Sequence, residues 1–262
     1  MTHEKHSPLP GGSVNEVYRQ GDVVRRRDKG GPMLHAYLRY LERAGMAGVP
    51  RFVGADGEGW EILTYLPGLT QDNGLPMSDP ILRSEETIVQ AAAFLRRLHD
   101  ASAGFLPEAL AAGWVNPTDP LPPETICHND AAVWNFVFEE GRVAGLIDFD
   151  QARAGSRLWD IAWSVYGVAH LAPWLPGEPY RAQAHAGLYR RRIALYFQAY
   201  GMPVPPDFTR LACQRVRVGV IDDLRHKAAQ GDPAARRNIQ QGALTHYERV
   251  VAFIDQEGPA WV

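Results

Sequence analysis

Lysine is almost missing from this chain. Only Lys5, Lys29 and Lys227 occur among 27 basic side chains, which leaves 27 − 3 = 24 arginines. By itself the bias carries no mechanism. Cysteine is as scarce: Cys127 and Cys213 supply neither a disulfide framework nor zinc-ligand spacing. Cys127 precedes His128 on an apolar strand and is expected to be a buried, inert thiol. No apolar run approaches the ~20 residues that span a bilayer, so no membrane partner is expected. The polar stretch Met1–Pro10 lacks the apolar core of a secretory signal. A surplus of positive charge is absent too. With 27 basic and 30 acidic side chains the net charge is −3, without the basic stripe that follows a phosphate backbone, and no nucleic-acid partner is expected. Internal repeats and low-complexity tracts are also lacking.

What is present is ordinary in bulk. A hydrophobic content of 45% and a charged content of 22% over 262 residues suit a globular protein of one large domain or two small ones. The order of patterns is more telling. Gly11-Gly12-Ser13 leads into an alternating segment, Val14–Arg19, which turns at Gln20-Gly21-Asp22 into Val23–Arg26. A helix is expected from Gly30 through Ala44, ended by Gly45, with Leu34, Leu38 and Leu41 at helical spacing. Arg51–Ala55 and Trp60–Tyr65 read as a second antiparallel pair. Beyond Ser78 the pattern turns helical: Ser84–His99 carries Ile88, Ala91, Ala92, Leu95 and Leu98 on one face. Residues 104–124 read as a loop, and further helices are expected near 156–170, 180–200, 206–230 and 233–257.

The most informative stretch is 128–150. His128-Asn129-Asp130 is followed by Asn135, then by Phe136-Val137-Phe138, a turn at Glu139–Arg142, a second apolar strand, and Ile147-Asp148-Phe149-Asp150. A hairpin of that length folds back on itself and brings Asp148 beside Asn135. The product is an acidic pocket able to hold a hard cation such as Mg²⁺ next to a free aspartate. Phosphoryl transfer needs that pairing of a metal for the phosphate oxygens with a base for the attacking hydroxyl.

This H-x-D-x4-N, hairpin, I-D-F-D arrangement resembles the catalytic core of the aminoglycoside phosphotransferase family, small-molecule kinases with the protein-kinase fold. The resemblance implies an α+β, two-lobed architecture. Residues 1–66 would form a nucleotide-binding lobe of antiparallel sheet plus one helix, and residues 67–262 a larger, mainly helical lobe for catalysis and acceptor binding. It implies Asp130 as catalytic base, His128 as a brace of its loop, and Asn135 and Asp148 as ligands of Mg²⁺. ATP or GTP would be the phosphoryl donor, a small-molecule hydroxyl the acceptor, and the cytoplasm the expected setting. Asn129 replaces the arginine and Asp150 the glycine of the protein-kinase motifs. By resemblance Asp160 holds the backbone of the catalytic loop.

Around that core, Gly12 and Ser13 are expected to approach the nucleotide phosphates, and Tyr65 and Leu66 to offer hinge backbone groups to the base. Where such kinases place a phosphate-gripping lysine, this chain has Arg25, Arg26 and Arg27. Strand alternation lets Arg25 or Arg26 face inward but not both, and Arg25 is the favoured candidate. His35 stands where a helix glutamate is expected, with Glu42 two turns on. For the acceptor, acidic walls suited to a cationic antibiotic could come from Asp222, Asp223, Glu248, Asp255 and Glu257. Aromatic walls could come from Trp163, Tyr166, Trp174, Tyr180 and Trp261. A choline, homoserine or sugar kinase, or a non-catalytic immunity protein that sequesters a toxin or antibiotic, are the alternatives.

Overall fold

The computed structural model describes residues 7–8, 17–71, 73–172 and 186–262. Strands β1 (Ser7–Pro8), β2 (Val17–Gln20), β3 (Val23–Arg27), β4 (Phe52–Ala55) and β5 (Trp60–Thr64) form one antiparallel sheet in the order β1-β2-β3-β5-β4. Helix α1 (Gly31–Arg43) follows β3 and buries Leu34, Leu38 and Leu41, the stripe expected from its spacing, together with Tyr37. Pro32 sits in its first turn, where a missing N–H costs nothing, and Asp28 accepts the N–H of Gly31 at 2.8 Å.

Most of the remainder is helical. In α2 (Glu85–Ser102) the side chain of Ser84 accepts the N–H of Thr87, and the apolar face of Ile88, Ala91, Ala92, Leu95 and Leu98 is fully buried. The segment expected as a loop over 104–124 instead contains α3 (Leu106–Ala111). Pro107 reads as a breaker in sequence, but at the start of a helix it favours one. Two short antiparallel pairs follow in the middle of the chain. β6 (Thr125–Cys127) pairs with β9 (Arg153–Gly155), and between them β7 (Phe136–Glu139) pairs with β8 (Arg142–Leu146). The tight turn of that hairpin has both Glu140 and Gly141 at positive φ, the twist that two antiparallel strands require.

Then come α4 (Arg157–Val168), α5 (Ala186–Tyr200) and α6 (Phe208–Val216). A π-helical turn, Arg217–Asp222, joins α6 to α7 (Asp223–Ala229). The final expected helix divides at Gly242, which takes φ 89, into α8 (Pro233–Gln240) and α9 (Ala243–Glu257). Among the described residues no helix is long and apolar enough to cross a membrane.

The β7–β8 hairpin is fastened on two sides. Leu69 and Phe138 exchange a pair of backbone bonds at 2.8 Å each, and the N–H of Leu146 donates to the Gly48 carbonyl at 2.8 Å. That second contact needs two glycines: a Cβ on Gly145 would lie 2.6 Å from the Gly48 oxygen, and one on Gly48 2.5 Å from the Ala144 oxygen. So docked, the hairpin delivers Asp148 to a fixed place between the sheet and the helices.

Candidate active site

The loop between β6 and β7 is built on one buried carboxylate. Asp160, in the first turn of α4 and without exposure, takes the N–H of His128 and the N–H of Asn129 at 2.8 Å each, and His99 Nε2 at 3.0 Å. Burial alone would push its pKa up. The His99 hydrogen bond, the nearby imidazoles and the His128 N–H outweigh that and hold it below the usual carboxylate range. Two loop amides are thereby satisfied out of reach of water. Asn129 adopts φ 63, a conformation asparagine tolerates, and its side-chain amide donates to the Gln151 carbonyl at 3.0 Å.

His128 braces the same loop from within. Its Nε2 bonds the Ile147 carbonyl at 3.0 Å, and the Asp130 N–H donates to its Nδ1 at 3.2 Å. That pattern assigns the neutral, Nε2-protonated ring, and burial lowers the imidazole pKa accordingly.

Asp130 emerges partly exposed at the end of this framework. Trp163 Nε1 donates to its Oδ1 at 2.8 Å, and Asn135 Nδ2 to its Oδ2 at 2.9 Å. Desolvation raises its pKa to about 7, with the charge of Asp148 adding to the rise and the two donors and Arg215 opposing it. A carboxylate poised near neutrality and held by two donors is suited to take a proton.

The hairpin closes as its length suggested: the Ile147 N–H donates to the Asn135 carbonyl at 2.9 Å. Asp148 follows in the left-handed region at φ 66, its side chain 42% exposed. Because the Asn135 amide nitrogen serves Asp130, its oxygen remains for a cation, and with the Asp148 carboxylate it makes a pair of hard oxygen donors. That donor set fits Mg²⁺.

The side expected to meet phosphate differs from the sequence reading. Arg26, not Arg25, faces inward. It binds Glu61 Oε1 at 2.8 Å, Asp148 Oδ1 at 2.9 Å and Asp150 Oδ1 at 2.5 Å. The register explains the choice: Arg26 lies opposite Glu61 and Arg25 opposite Ile62, so Arg25 shares the outer face with Arg27 and Trp60. There Arg25 pairs with Asp56 and stacks on the Trp60 ring at 4.4 Å. Glu61, fully buried, also accepts from His35 Nε2 at 3.1 Å. The acidic partner of the basic side chain therefore comes from β5, and the helix supplies the histidine.

Burial would strip Arg26 of its proton, but Asp150, Glu61 and Asp148 reverse this and tighten its hold. Asp150 is pushed up to about 6 by burial, against the pull of Arg26. Arg26→Met is expected to lower stability by about 2 kcal/mol, because Glu61 keeps only His35. Arg25→Met on the open face should change it by less than about 0.5 kcal/mol. Urea unfolding of both variants checks the contrast, and equal losses would contradict the assignment of faces.

Of the other expected residues, Gly12 and Ser13 lie outside the described residues, as do Trp174 and Tyr180. The Tyr65 N–H is not available to a base, since it donates to the Asp22 carbonyl at 2.8 Å. Trp261 is a core residue, 1% exposed and stacked on Tyr189. Asp222, Asp223 and Glu248 are in exposed ion pairs with Arg225 and Lys227. Trp163, by contrast, reaches the site. The sequence reading did not reach Glu61 or Arg215. The signal for Glu61 was its place between Trp60 and Ile62 in an otherwise apolar strand.

Comparison with known proteins bears on the family and the fold. The model of the phosphotransferase enzyme family matches residues 5–119 and 105–196, more than half of the chain. The chain belongs to the phosphotransferase enzyme family. Its fold is the kinase-like one of a choline/ethanolamine kinase family protein from Mesorhizobium loti (17% identity, TM-score 0.58, covering 96% of this chain and 92% of that one). It is shared by the GDP and kanamycin complex of APH(2″)-IIIa (14% identity, TM-score 0.62, 98% and 94%). Among curated proteins, the trifolitoxin immunity protein of Rhizobium leguminosarum bv. trifolii is 35% identical over 165 residues, 59% of this chain and 60% of that protein. The match thus spans under two thirds of that relative's length. This member of the phosphotransferase enzyme family carries a buried arginine on β3 bound to a glutamate on β5.

Proposed function

We propose that this protein transfers the γ-phosphate of ATP or GTP to a hydroxyl of a small molecule, with Mg²⁺ held by Asn135 and Asp148. The observation that carries the reading is Asp130 itself, a largely buried carboxylate with raised pKa, oriented by Trp163 and Asn135 beside the hairpin that presents Asp148. An acceptor hydroxyl set against Asp130 gives it a proton as its oxygen bonds the γ-phosphorus. The bond from that phosphorus to the β–γ bridging oxygen breaks, and the nucleoside diphosphate leaves with the electron pair. A bound Mg²⁺ would supply neutralisation of the phosphate charge. Arg26, drawn from Asp148 and Asp150 toward phosphate, would add a second cation.

Asp148→Ala is expected to abolish Mg²⁺-dependent nucleotide binding measured by calorimetry, while leaving the fold intact. Unchanged affinity removes the metal role. Transfer itself is tested with γ-labelled nucleotide against a panel of aminoglycosides, choline, homoserine and sugars.

A second reading, a kinase-like immunity protein that sequesters a toxin without turnover, is favoured by one feature. Arg26 already neutralises Asp148, the carboxylate a cation would need, and also binds Asp150. The likeness to an immunity protein points the same way. Nucleotide and Mg²⁺ that fail to raise the melting temperature would favour it.

A further inference from the structure

Beneath the catalytic loop lies a cation that the proposed chemistry does not use. Arg215, in the last turn of α6, is 5% exposed. Its Nη2 donates to the carbonyl of Asn129 at 2.8 Å, the peptide oxygen immediately before Asp130. Its guanidinium carbon lies 4.9 Å from the ring centre of Trp163 and 5.5 Å from that of Trp159. Trp163 is the indole that donates to Asp130. Arg215 makes no ion pair among the described residues, and its Nε has no hydrogen-bond partner. A buried guanidinium without a paired carboxylate is expensive, so packing alone does not account for it.

The helix is reshaped to hold it. Gly219 lies in the π-helical turn that follows α6, and a Cβ there would sit 1.8 Å from Arg215 Nη1. Insertions of this kind recur at functional sites because they change which side chains one helix can stack. Here the widened turn and the missing Cβ together make the space in which the guanidinium lies under residues 129 and 163.

We infer that Arg215 is a positioning residue for Asp130. It fixes the Asn129 carbonyl on one side and, through the face of Trp163, the indole N–H that holds the carboxylate on the other. The inference rests on the proposed role of Asp130 but is read out without turnover. The Trp163 indole N–H, identified in the nuclear magnetic resonance spectrum of the whole protein by its loss in Trp163→Phe, reports the bond to Asp130 directly.

Arg215→Met is expected to displace that resonance and speed its exchange with water about fivefold to tenfold, as loss of one hydrogen bond requires. Arg215→Lys, which keeps the charge but not the fork, should fall between. Gly219→Ala is the gentler test. Alanine suits a helix, the cation is retained, and only its place is taken, so the resonance should move as in Arg215→Met. If transfer is measured, kcat should fall by about 10²-fold with nucleotide affinity unchanged. An unmoved indole resonance in folded Arg215→Met, or in Gly219→Ala where the first variant does not fold, overturns the inference. A protein that transfers no phosphate yet shows the shift keeps the positioning role and loses only the proposed reaction.

Discussion

Asp130→Asn is expected to lower phosphoryl transfer by about 10²–10⁴-fold, the range a general base contributes, with nucleotide affinity little changed. The amide keeps the volume and one acceptor for Trp163 or Asn135, so the loop holds its shape while the proton acceptor is gone. In the parent protein transfer should rise with pH through about 7 and level off above it, because only the ionised carboxyl accepts a proton. A rate that is flat from pH 5 to 9, or a variant that retains full transfer, removes Asp130 from the chemistry.

The same residue carries a stability signature of opposite sign. Its folded pKa lies above the unfolded value near 3.8, so the native state holds a proton that the unfolded chain has already released. Stability from this group is complete below pH 4 and declines as pH rises toward 7. Asparagine cannot ionise, so Asp130→Asn should be more stable than the parent above pH 7, on the order of 2 kcal/mol, and indistinguishable at pH 4. Chemical denaturation at the two pH values measures the difference. Loss of activity with gain of stability separates a catalytic group from a structural one.

Asp160→Ala should lower stability as well as transfer. Three donors converge on this carboxylate, two of them the amides of His128 and Asn129. Removing it leaves those amides buried without partners, an expected loss of about 3–5 kcal/mol together with loss of any transfer. Its folded pKa is depressed, so its contribution is present above the unfolded value and disappears as pH falls through the folded one. Acid unfolding of the parent should therefore include Asp160, and Asp160→Asn should shift that transition upward. An Asp160→Ala variant with the parent's melting temperature contradicts the role.

Much of this architecture was legible in the chain. The hairpin over 136–147 follows from two apolar strands around a tight turn, and its length alone returns Asp148 to Asn135. The face of α2 follows from spacing. Less legible was the phosphate side. Alternation could say that Arg25 and Arg26 face opposite ways, but it takes a cross-strand partner to say which way is in. That partner, Glu61, is thirty-five residues distant in sequence. Arg215 was beyond reach for the same reason: it meets the catalytic loop from 86 residues away, through a π-helical turn that no period of apolar residues announces. The ends of the short helices were blurred by Pro107 and Gly242, residues that begin one helix and divide another.

One consequence follows from the opposition of Arg26 and Glu61 on β3 and β5. In protein kinases the corresponding pair joins a strand to a helix, and the position of that helix decides whether the pair exists. Here both members are rungs of a single ladder, locked by the strands' own hydrogen bonds. An outward swing of α1 would carry His35 away and leave Arg26 with its carboxylate. The Arg26–Glu61 contact is therefore set by the pairing of β3 with β5 and does not depend on where α1 lies.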